Sequence, residues 1–137
     1  ELAYGAVLGL RSSTDSIDIV QAALESVAYR FAEIFDQLNS VGTIKEIIAS
    51  GGALRESPVW TQVIADVLGR KMSLPDIREA SSRGAVLLAL EAIGRIPVIE
   101  RLAIPYGVEF NCEKNRHIAY RPSRLRHRKL YRMLVGE

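Results

Sequence analysis

A pair of glycines, Gly51-Gly52, is the feature of this sequence best suited to hold a ligand. The pair follows the short, β-branched and apolar stretch 44–49. It precedes Ser57-Pro58, a hydroxyl cap and a proline of the kind that opens helices. Glycines between a strand and a helix allow close backbone approach, and a helix N-terminus favours anions. The pattern therefore predicts a turn where a nucleotide can lie against the main chain.

Two more specific nucleotide motifs are absent from the sequence. No Gly-x-Gly-x-x-Gly follows residues 44–49, so the dinucleotide fingerprint is missing, and no Gly-Lys-Ser/Thr completes a phosphate loop. A glycine pair after a strand is also what an ordinary chain reversal uses. The turn alone therefore names a place for a ligand and no specific function.

Four other side chains have types that could act in a nucleotide site. Glu25 and Asp66 lie in predicted helices and are candidate catalytic carboxylates, since acid–base catalysis needs a positioned carboxylate. We interpret both as solvated or structural acids instead. Arg55, beside the turn, has the charge to reach a phosphate or can be an ordinary surface arginine. Trp60 is interpreted as a core residue behind the glycine turn, and not as a platform for a base.

Composition favours a globular cytoplasmic domain. The 137 residues are 48% hydrophobic and 25% charged, no apolar run approaches the roughly 20 residues that span a bilayer, and no signal peptide is recognisable. One cysteine, Cys112, excludes an internal disulfide and favours a reducing compartment. His117 and His127 lack thiols or carboxylates at ligand spacing, so a structural zinc site is not expected.

Charge is distributed unevenly along the chain. Residues 1–113 carry 10 basic and 15 acidic side chains, whereas residues 114–137 carry eight basic and one acidic. A basic tail of this kind binds nucleic acid or membrane phosphates in some proteins. More commonly it is the solvated face of a terminal helix. We adopt that interpretation, so neither nucleic acid nor a membrane is expected as a partner.

Apolar residues at helical spacing predict four helices. They cover residues 15–38, 57–69, 84–93 and 123–134. The first takes Asp15 or Ser16 as its cap and the second ends at Gly69. The third is apolar nearly all round, which predicts burial, and Pro122 is expected to open the fourth.

The predicted strands are fewer than the helices. Residues 44–49 are expected to form a buried strand, and residues 72–74 and 108–110 shorter ones. A buried parallel strand needs neighbours on both sides, because its backbone groups must be paired. Either residues 4–10 and 72–74 complete a small sheet, or the chain is cut from a longer protein.

Three segments follow one another in the order and spacing of a known family. They read GAVLGLRSSTDSIDIVQAALE (5–25), ASGGALRESPVWTQVIADVLGRKM (49–72) and ASSRGAVLLALEAIG (80–94). The first resembles the second signature of the FGGY carbohydrate kinases, with Gly9-Leu10 and Asp18-Ile19 at its defining places. The second resembles the family's glycine-rich adenosine motif, most closely in its gluconate kinase branch. The third resembles the helix that follows, which packs on the other lobe.

The resemblance implies an α/β, helix-rich fold that is part of an actin-like ATPase (ribonuclease H-like) domain. Two such lobes close on ATP and a sugar or polyol. It further implies a nucleotide-binding set made of Ser50, Gly51, Gly52, Ala53, Glu56 and Ser57. Residues 50–53 would line the adenosine pocket, and Glu56 and Ser57, in the first turn of the next helix, would lie beside the base. Glu56 is placed by counting, and its alternative role is an exposed first-turn acid that complements the helix dipole.

Members of this family are several times longer than this chain. Their catalytic aspartate, sugar-binding residues and phosphate loops match no segment here, so no catalytic residue and no metal ligand is assigned. We therefore expect residues 1–137 to be a single domain, a fragment of the C-terminal lobe of a kinase that uses ATP with Mg²⁺. Without its N-terminal lobe the fragment should be inactive and should self-associate through exposed apolar surface. The alternative is a non-catalytic α/β module for interaction or self-association.

Overall fold

The structure is a computed structural model that describes residues 5–135. Its α-helices are α1 (Ser16–Val41), α2 (Gly52–Glu56), α3 (Pro58–Leu68), α4 (Ala80–Ala92) and α5 (Lys114–Val135). Its strands are β1 (Met72–Pro75) and β2 (Gly107–Phe110), and a 3-10 turn spans Ile99–Arg101. The helix-rich α/β class predicted from the sequence is confirmed.

Helix α1 begins where the polar cluster before it predicts. The Asp15 carboxylate accepts hydrogen bonds from the amides of Ile17 (2.8 Å) and Asp18 (2.9 Å). The Asp18 carboxylate accepts one in return from the Asp15 amide at 3.1 Å. This reciprocal capping box satisfies amides that a helix start would otherwise leave free. The helix continues to Val41, three residues beyond the predicted end.

Helix α3 lies at the centre of the packed part of the chain. Its buried residues are Thr61, Ile64, Ala65, Asp66 and Val67. Ala28 and Ala32 of α1 are fully buried, and these small side chains allow close approach between α1 and α3. The boundaries of α3 follow the prediction, with Pro58 opening the helix and Gly69 capping it at a left-handed φ of 69°.

The sheet is smaller than the sequence predicts. Strands β1 and β2 pair antiparallel, in a register that places Met72 opposite Phe110, which confirms both short strands. Residues 44–49 are not a buried strand: they form one parallel bridge to β1, between Ile48 and Ser73, and only Ala49 is buried. Their second edge has no strand beside it in the described part of the chain. Residues 5–10 are not a strand either, and residue 4 lies outside the described residues.

Helix α4 contradicts the prediction that its apolar sequence is buried. None of its residues is buried, and Val86 and Leu88 are 58% and 62% exposed. It begins at Ala80, four residues earlier than predicted, and packs on the 3-10 turn. An apolar helix of this kind needs a covering surface, and the described residues do not provide one.

Helix α5 begins nine residues earlier than predicted, and Pro122 lies inside it. The cause is a contact distant in sequence. The Asp66 carboxylate accepts a hydrogen bond from the Glu113 amide at 2.7 Å, and the His117 ring lies 2.8 Å from the Asp66 carbonyl oxygen. That ring packs against Gly69, where an added Cβ would lie 2.6 Å from it. The start of α5 is therefore set by α3.

Ion pairs fasten the second half of α5 to α1. Arg124 and Arg128 both bind the Glu33 carboxylate, at 3.3 and 2.7 Å, and both also pair with Asp36. Burial raises the pKa of the Glu33 carboxyl, but Arg128 and Arg124 outweigh it and leave that pKa below its ordinary value. Two arginines of the basic tail therefore form ion pairs within the fold, so the prediction that this tail is a solvated helix face is only partly correct.

Replacing Glu33 by glutamine should lower the free energy of unfolding at pH 7 by about 1–2 kcal/mol, because two arginines lose a half-buried partner. The folded-state pKa of Glu33 is depressed, so its contribution is present above the unfolded value and is lost as pH falls through the folded value. The difference between variant and parent chain should therefore close in acid. Urea titrations followed by circular dichroism at pH 7 and pH 3 measure it.

Glu100→Gln is the matched control for this measurement, because Glu100 is exposed and the substitution removes the same charge. It should leave the unfolding midpoint unchanged at both pH values. Equal stability of Glu33→Gln and the unmodified chain at pH 7 would show that the paired arginines do not stabilise the fold.

Candidate functional site

The glycine turn lies at the end of the extended segment 44–49 and presents bare backbone to open space. Gly51 has φ 115° and ψ 152°, a conformation that side chains with a Cβ rarely adopt. Residues 50–53 are all exposed. A Cβ added at Gly51 or Gly52 would meet no atom within 4 Å. The sequence prediction of an approachable turn is matched by this geometry.

Helix α2, which follows the turn, has only five residues. Its hydrogen bonds run from the Arg55 amide to the Gly51 carbonyl (3.3 Å) and from the Ser57 amide to the Ala53 carbonyl (3.2 Å). A helix this short is not stable alone. The Leu54 carbonyl accepts a 2.8 Å hydrogen bond from the buried Thr61 hydroxyl, and the Leu54 side chain packs on the core. Tertiary contacts therefore hold the turn in place.

The resemblance placed Glu56 and Ser57 in the first turn of the next helix; Glu56 lies outside that helix, whereas Ser57 is the hydroxyl cap that the Ser57-Pro58 pattern predicts. Glu56 is the exposed last residue of α2, and Ser57 is the N-cap of α3. The Ser57 hydroxyl accepts a hydrogen bond from the Trp60 amide at 3.4 Å. The prediction for Glu56 failed because residues 52–56 form a helix of their own. Consequently Glu56 is not a first-turn acid of α3 either.

Arg55 points toward the sheet. Its guanidinium donates hydrogen bonds to the Pro75 carbonyl (3.2 Å) and to the Asp76 carboxylate (2.7 Å). The hydrogen bond and charge of Arg55 lower the pKa of Asp76. The sequence allowed two roles for this arginine, either binding a phosphate or being an ordinary surface residue. In the structure it joins α2 to the end of β1.

The helical acids Glu25 and Asp66 have structural partners. Glu25 accepts hydrogen bonds from the Gln21 amide and the Tyr29 hydroxyl, both at 2.8 Å. Asp66 is fully buried, accepts bonds from Gln62 and from the amide before α5, and has one oxygen 3.7 Å from Arg116. Neither acid lies in the glycine turn. Both acids have partners of the structural kind that the sequence interpretation expects, although the sequence gave no sign that Asp66 binds the amide before α5.

Trp60 lies behind the turn, on the side of α3 that faces α1. It is half-buried against the core, and its indole nitrogen donates a 3.2 Å hydrogen bond to the Leu24 carbonyl. The Trp60 side chain is thus engaged with α1 and belongs to the boundary of the core, as predicted.

A cavity of about 470 Å³ lies next to the turn, between α1 and the extended segment. Ser50 belongs to its wall, but most of the lining is apolar and includes Phe31, Ile34, Leu38 and Ile48. These four side chains are 44–58% exposed. We call this surface the open apolar face. Ligand pockets combine apolar walls with a few convergent polar groups, and here only Glu46 and Ser50 are polar.

Within residues 5–135 no helix combines the length and the apolar character needed to cross a membrane. In the same range no three His, Cys, Asp or Glu side chains come together as a metal-binding group.

The sequence matches the family model described as the C-terminal domain of the FGGY family of carbohydrate kinases, over residues 1–93. The match spans α1 to α4, with the glycine turn between α1 and α2. It therefore includes the whole candidate site.

Similar curated proteins include two kinds of kinase. A gluconokinase of Bacillus licheniformis is 31% identical over 134 residues, which cover 96% of this chain and 25% of that protein. A glycerol kinase of Pseudomonas savastanoi pv. phaseolicola is 35% identical over 123 residues, covering 82% of this chain and 24% of that protein. The chain thus spans about a quarter of the length of these relatives.

Solved structures of similar fold are also kinases. Xylulose kinase from Rhodospirillum rubrum matches with a TM-score of 0.81 and 27% identity, over 99% of this chain and 28% of that one. Plasmodium falciparum glycerol kinase with ADP matches with a TM-score of 0.73 and 21% identity, over 96% and 27%. The second likeness concerns the fold alone.

Gly51→Ala should destabilise the chain by about 1–3 kcal/mol, because a Cβ is strained at the φ and ψ of this residue whatever space surrounds it. Urea unfolding measures the loss. Gly42→Ala is the control: Gly42 also has open space around it, but its φ of −164° is extended backbone that alanine adopts freely. An unchanged midpoint for Gly51→Ala would mean that the turn relaxes without cost.

Proposed function

Because this chain belongs to the FGGY family of carbohydrate kinases, within the family's C-terminal domain, we propose that it is the adenosine-binding part of a longer ATP-dependent kinase. The relatives it matches are about four times its length. Catalysis is accordingly proposed for the longer parent protein. The fragment alone is proposed to be inactive.

The observation that carries this proposal is the bare backbone at Gly51 and Gly52. The flat adenine ring of adenosine can lie directly on main-chain atoms there, because neither glycine has a side chain and open space lies beyond both. Ser50 and Ala53 flank the wall with small side chains, and Glu56 is exposed nearby in sequence. Ser57 contributes indirectly, since its hydroxyl is engaged in capping α3.

The chain's role in phosphoryl transfer is to position one end of the nucleotide. ATP supplies the phosphoryl group, and enzymes that transfer it act mainly through placement and electrostatic stabilisation. A wall held by the core through Leu54 and Thr61 fixes the adenosine end without contributing an acid or a base. The described residues do not fit a Mg²⁺ site of their own, so Mg²⁺ is proposed only as a companion of the ATP phosphates.

The acceptor is proposed to be a sugar, a polyol or a sugar acid. The similar proteins are by name a gluconokinase, glycerol kinases and xylulose kinases. Gluconate is favoured, since the gluconokinase aligns with 96% of this chain. With one cysteine in the sequence, a reducing cytoplasmic location fits the proposal.

The open apolar face and α4 support the proposal that this chain is one piece of a larger lobe. Residues 44–49 have strand pairing on one edge, and α4 has no buried residue. We propose that further segments of the parent, including its N-terminal lobe, cover these surfaces. The alternative is a non-catalytic module that uses the same face for self-association.

The full-length parent should phosphorylate at least one of gluconate, glycerol and xylulose with ATP and Mg²⁺, whereas residues 1–137 should show no turnover. A coupled assay of ADP release with each acceptor measures both. Absence of ATP consumption by the parent with every sugar, polyol and sugar acid tested would overturn the proposed function.

The same assay locates the nucleotide wall. Gly52→Ala puts a methyl group where the proposed adenosine lies, so the KM for ATP should rise, by about tenfold for a contact worth about 1.4 kcal/mol. Stability should not fall, because Gly52 has helical backbone and open space. Gly42→Ala is the matched control and should change neither. An unaltered KM for ATP would place the nucleotide elsewhere.

Residues 1–137 alone should self-associate through the open apolar face, because exposed apolar side chains gain by leaving water. Size-exclusion chromatography with light scattering measures the mass. Ile34→Glu puts a charge on that face and should shift the chain toward monomer. Ile118→Glu, at a similarly exposed site on α5, should not. A monomeric unmodified chain would contradict this prediction.

A further inference from the structure

The turn at Gly51 is attached to the rest of the fold in two directions. Toward the core, Leu54 packs inward and its carbonyl accepts the Thr61 hydroxyl. Toward the sheet, the attachment is Arg55, whose guanidinium reaches the end of β1. No residue of α2 is fully buried. The orientation of the turn therefore depends on these few contacts.

Arg55 joins the turn to the sheet through both its backbone and its side chain. Its amide donates to the Gly51 carbonyl at 3.3 Å, and its guanidinium donates to the Pro75 carbonyl at 3.2 Å and to Asp76 at 2.7 Å. The arginine side chain is 25% exposed and that of Asp76 is 78% exposed. A planar guanidinium can serve two acceptors at once, which a lysine ammonium does with less geometric control.

We propose that Arg55 is a positioning residue: by tying the glycine turn to Pro75 and Asp76, it sets the orientation of the adenosine wall. This inference rests on the proposed function, since it concerns the same wall. The Arg55 side chain acts on the turn through α2, which its guanidinium ties to the end of β1, and it does not touch the nucleotide. Its guanidinium is committed to β1, so the phosphate-binding role that the sequence left open is not the one we assign.

A positioning role and a phosphate-binding role have different kinetic signatures. A tilted adenosine wall weakens the hold on ATP in the ground state and in the transition state alike, so KM rises while kcat is kept. Loss of an arginine from the reacting phosphates removes charge stabilisation in the transition state and lowers kcat. The split between KM and kcat therefore separates the two roles.

In the full-length parent, Arg55→Ala should raise the KM for ATP about fivefold, the range of a partly exposed charged pair. We expect kcat and the KM for the carbohydrate to stay within about twofold, the spread that a surface substitution leaves. Arg55→Lys should recover part of the loss, and Asp76→Ala, which leaves the Pro75 carbonyl in place, should cost less than Arg55→Ala.

Lys71→Ala is the matched control. Lys71 forms an equally short ion pair with Glu109, 2.7 Å, next to the same strand but away from the turn. Its loss should leave every kinetic constant unchanged. An unchanged KM for ATP in an active Arg55→Ala parent overturns the positioning role and leaves the proposed function standing. A fall in kcat, alongside the rise in the KM for ATP, overturns the positioning role in favour of phosphate contact.

Hydrogen exchange tests the inference even if the parent is not a kinase. Arg55→Ala should speed exchange of the amides of residues 53–57 in the full-length protein, relative to Lys71→Ala, because the short helix loses its attachment to β1. Equal exchange in the two variants overturns the inference independently of any activity. Inactivity of the unmodified parent overturns only the proposed function.

Discussion

The burial of α3 is the constraint on which the rest of this structure depends. Four elements contact α3: α1, α2, α5 and β2. Strand β1 is buried beside β2, whereas α4 has no buried residue and of residues 44–49 only Ala49 is buried. A short helix contacted from several sides needs small or apolar residues at most contacts and hydrogen-bonded polar residues at the others. Ala65 and Val67, nearly fully buried, meet that requirement.

A buried carboxylate turns that packing into a defined arrangement of helices. Asp66 has no exposed surface, and burying a charge costs free energy unless hydrogen bonds replace its water. Both replacements fall on the Oδ1 atom, from Gln62 of its own helix and from the amide of Glu113, and the Oδ2 atom has only the charge of Arg116 at 3.7 Å. The second bond is available only if α5 begins at that point. The acid therefore fixes where α5 starts, and the arginine pairs of Glu33 fix how its second half lies on α1.

Local capping signals predicted the start of α1 and both ends of α3, whereas ends that depend on distant contacts were missed. Asp15 and Gly69 act within a few residues of themselves, so their caps could be read from the sequence. The start of α5 could not, because Asp66 and Glu113 are 47 residues apart. The same limit applies to the site. The position of the glycine turn was predictable from its neighbours in sequence, whereas the separate helix α2 moved Glu56 out of its expected place.

Two apolar segments that were predicted to be buried are exposed, and the reason differs from the one for α5. Residues 44–49 and α4 have sequences suited to burial, yet Ile48 is 46% and Leu88 is 62% exposed. An apolar sequence indicates that a segment suits burial, but burial also needs a contacting surface, which the described residues do not supply for these segments.

The glycine turn lies where the packed core meets the exposed apolar surface. Through Leu54 it is anchored to the packed core, and through Ser50 it borders the open apolar face. Ligand pockets are concave and enclose most of a ligand's surface, whereas the proposed wall of residues 50–53 would enclose only one side of it. Affinity must then depend on the precision of that wall and on whatever surface closes over it. A turn anchored at the core and tied to β1 by Arg55 is the kind of wall a second surface can close against, because it keeps its orientation before the ligand arrives.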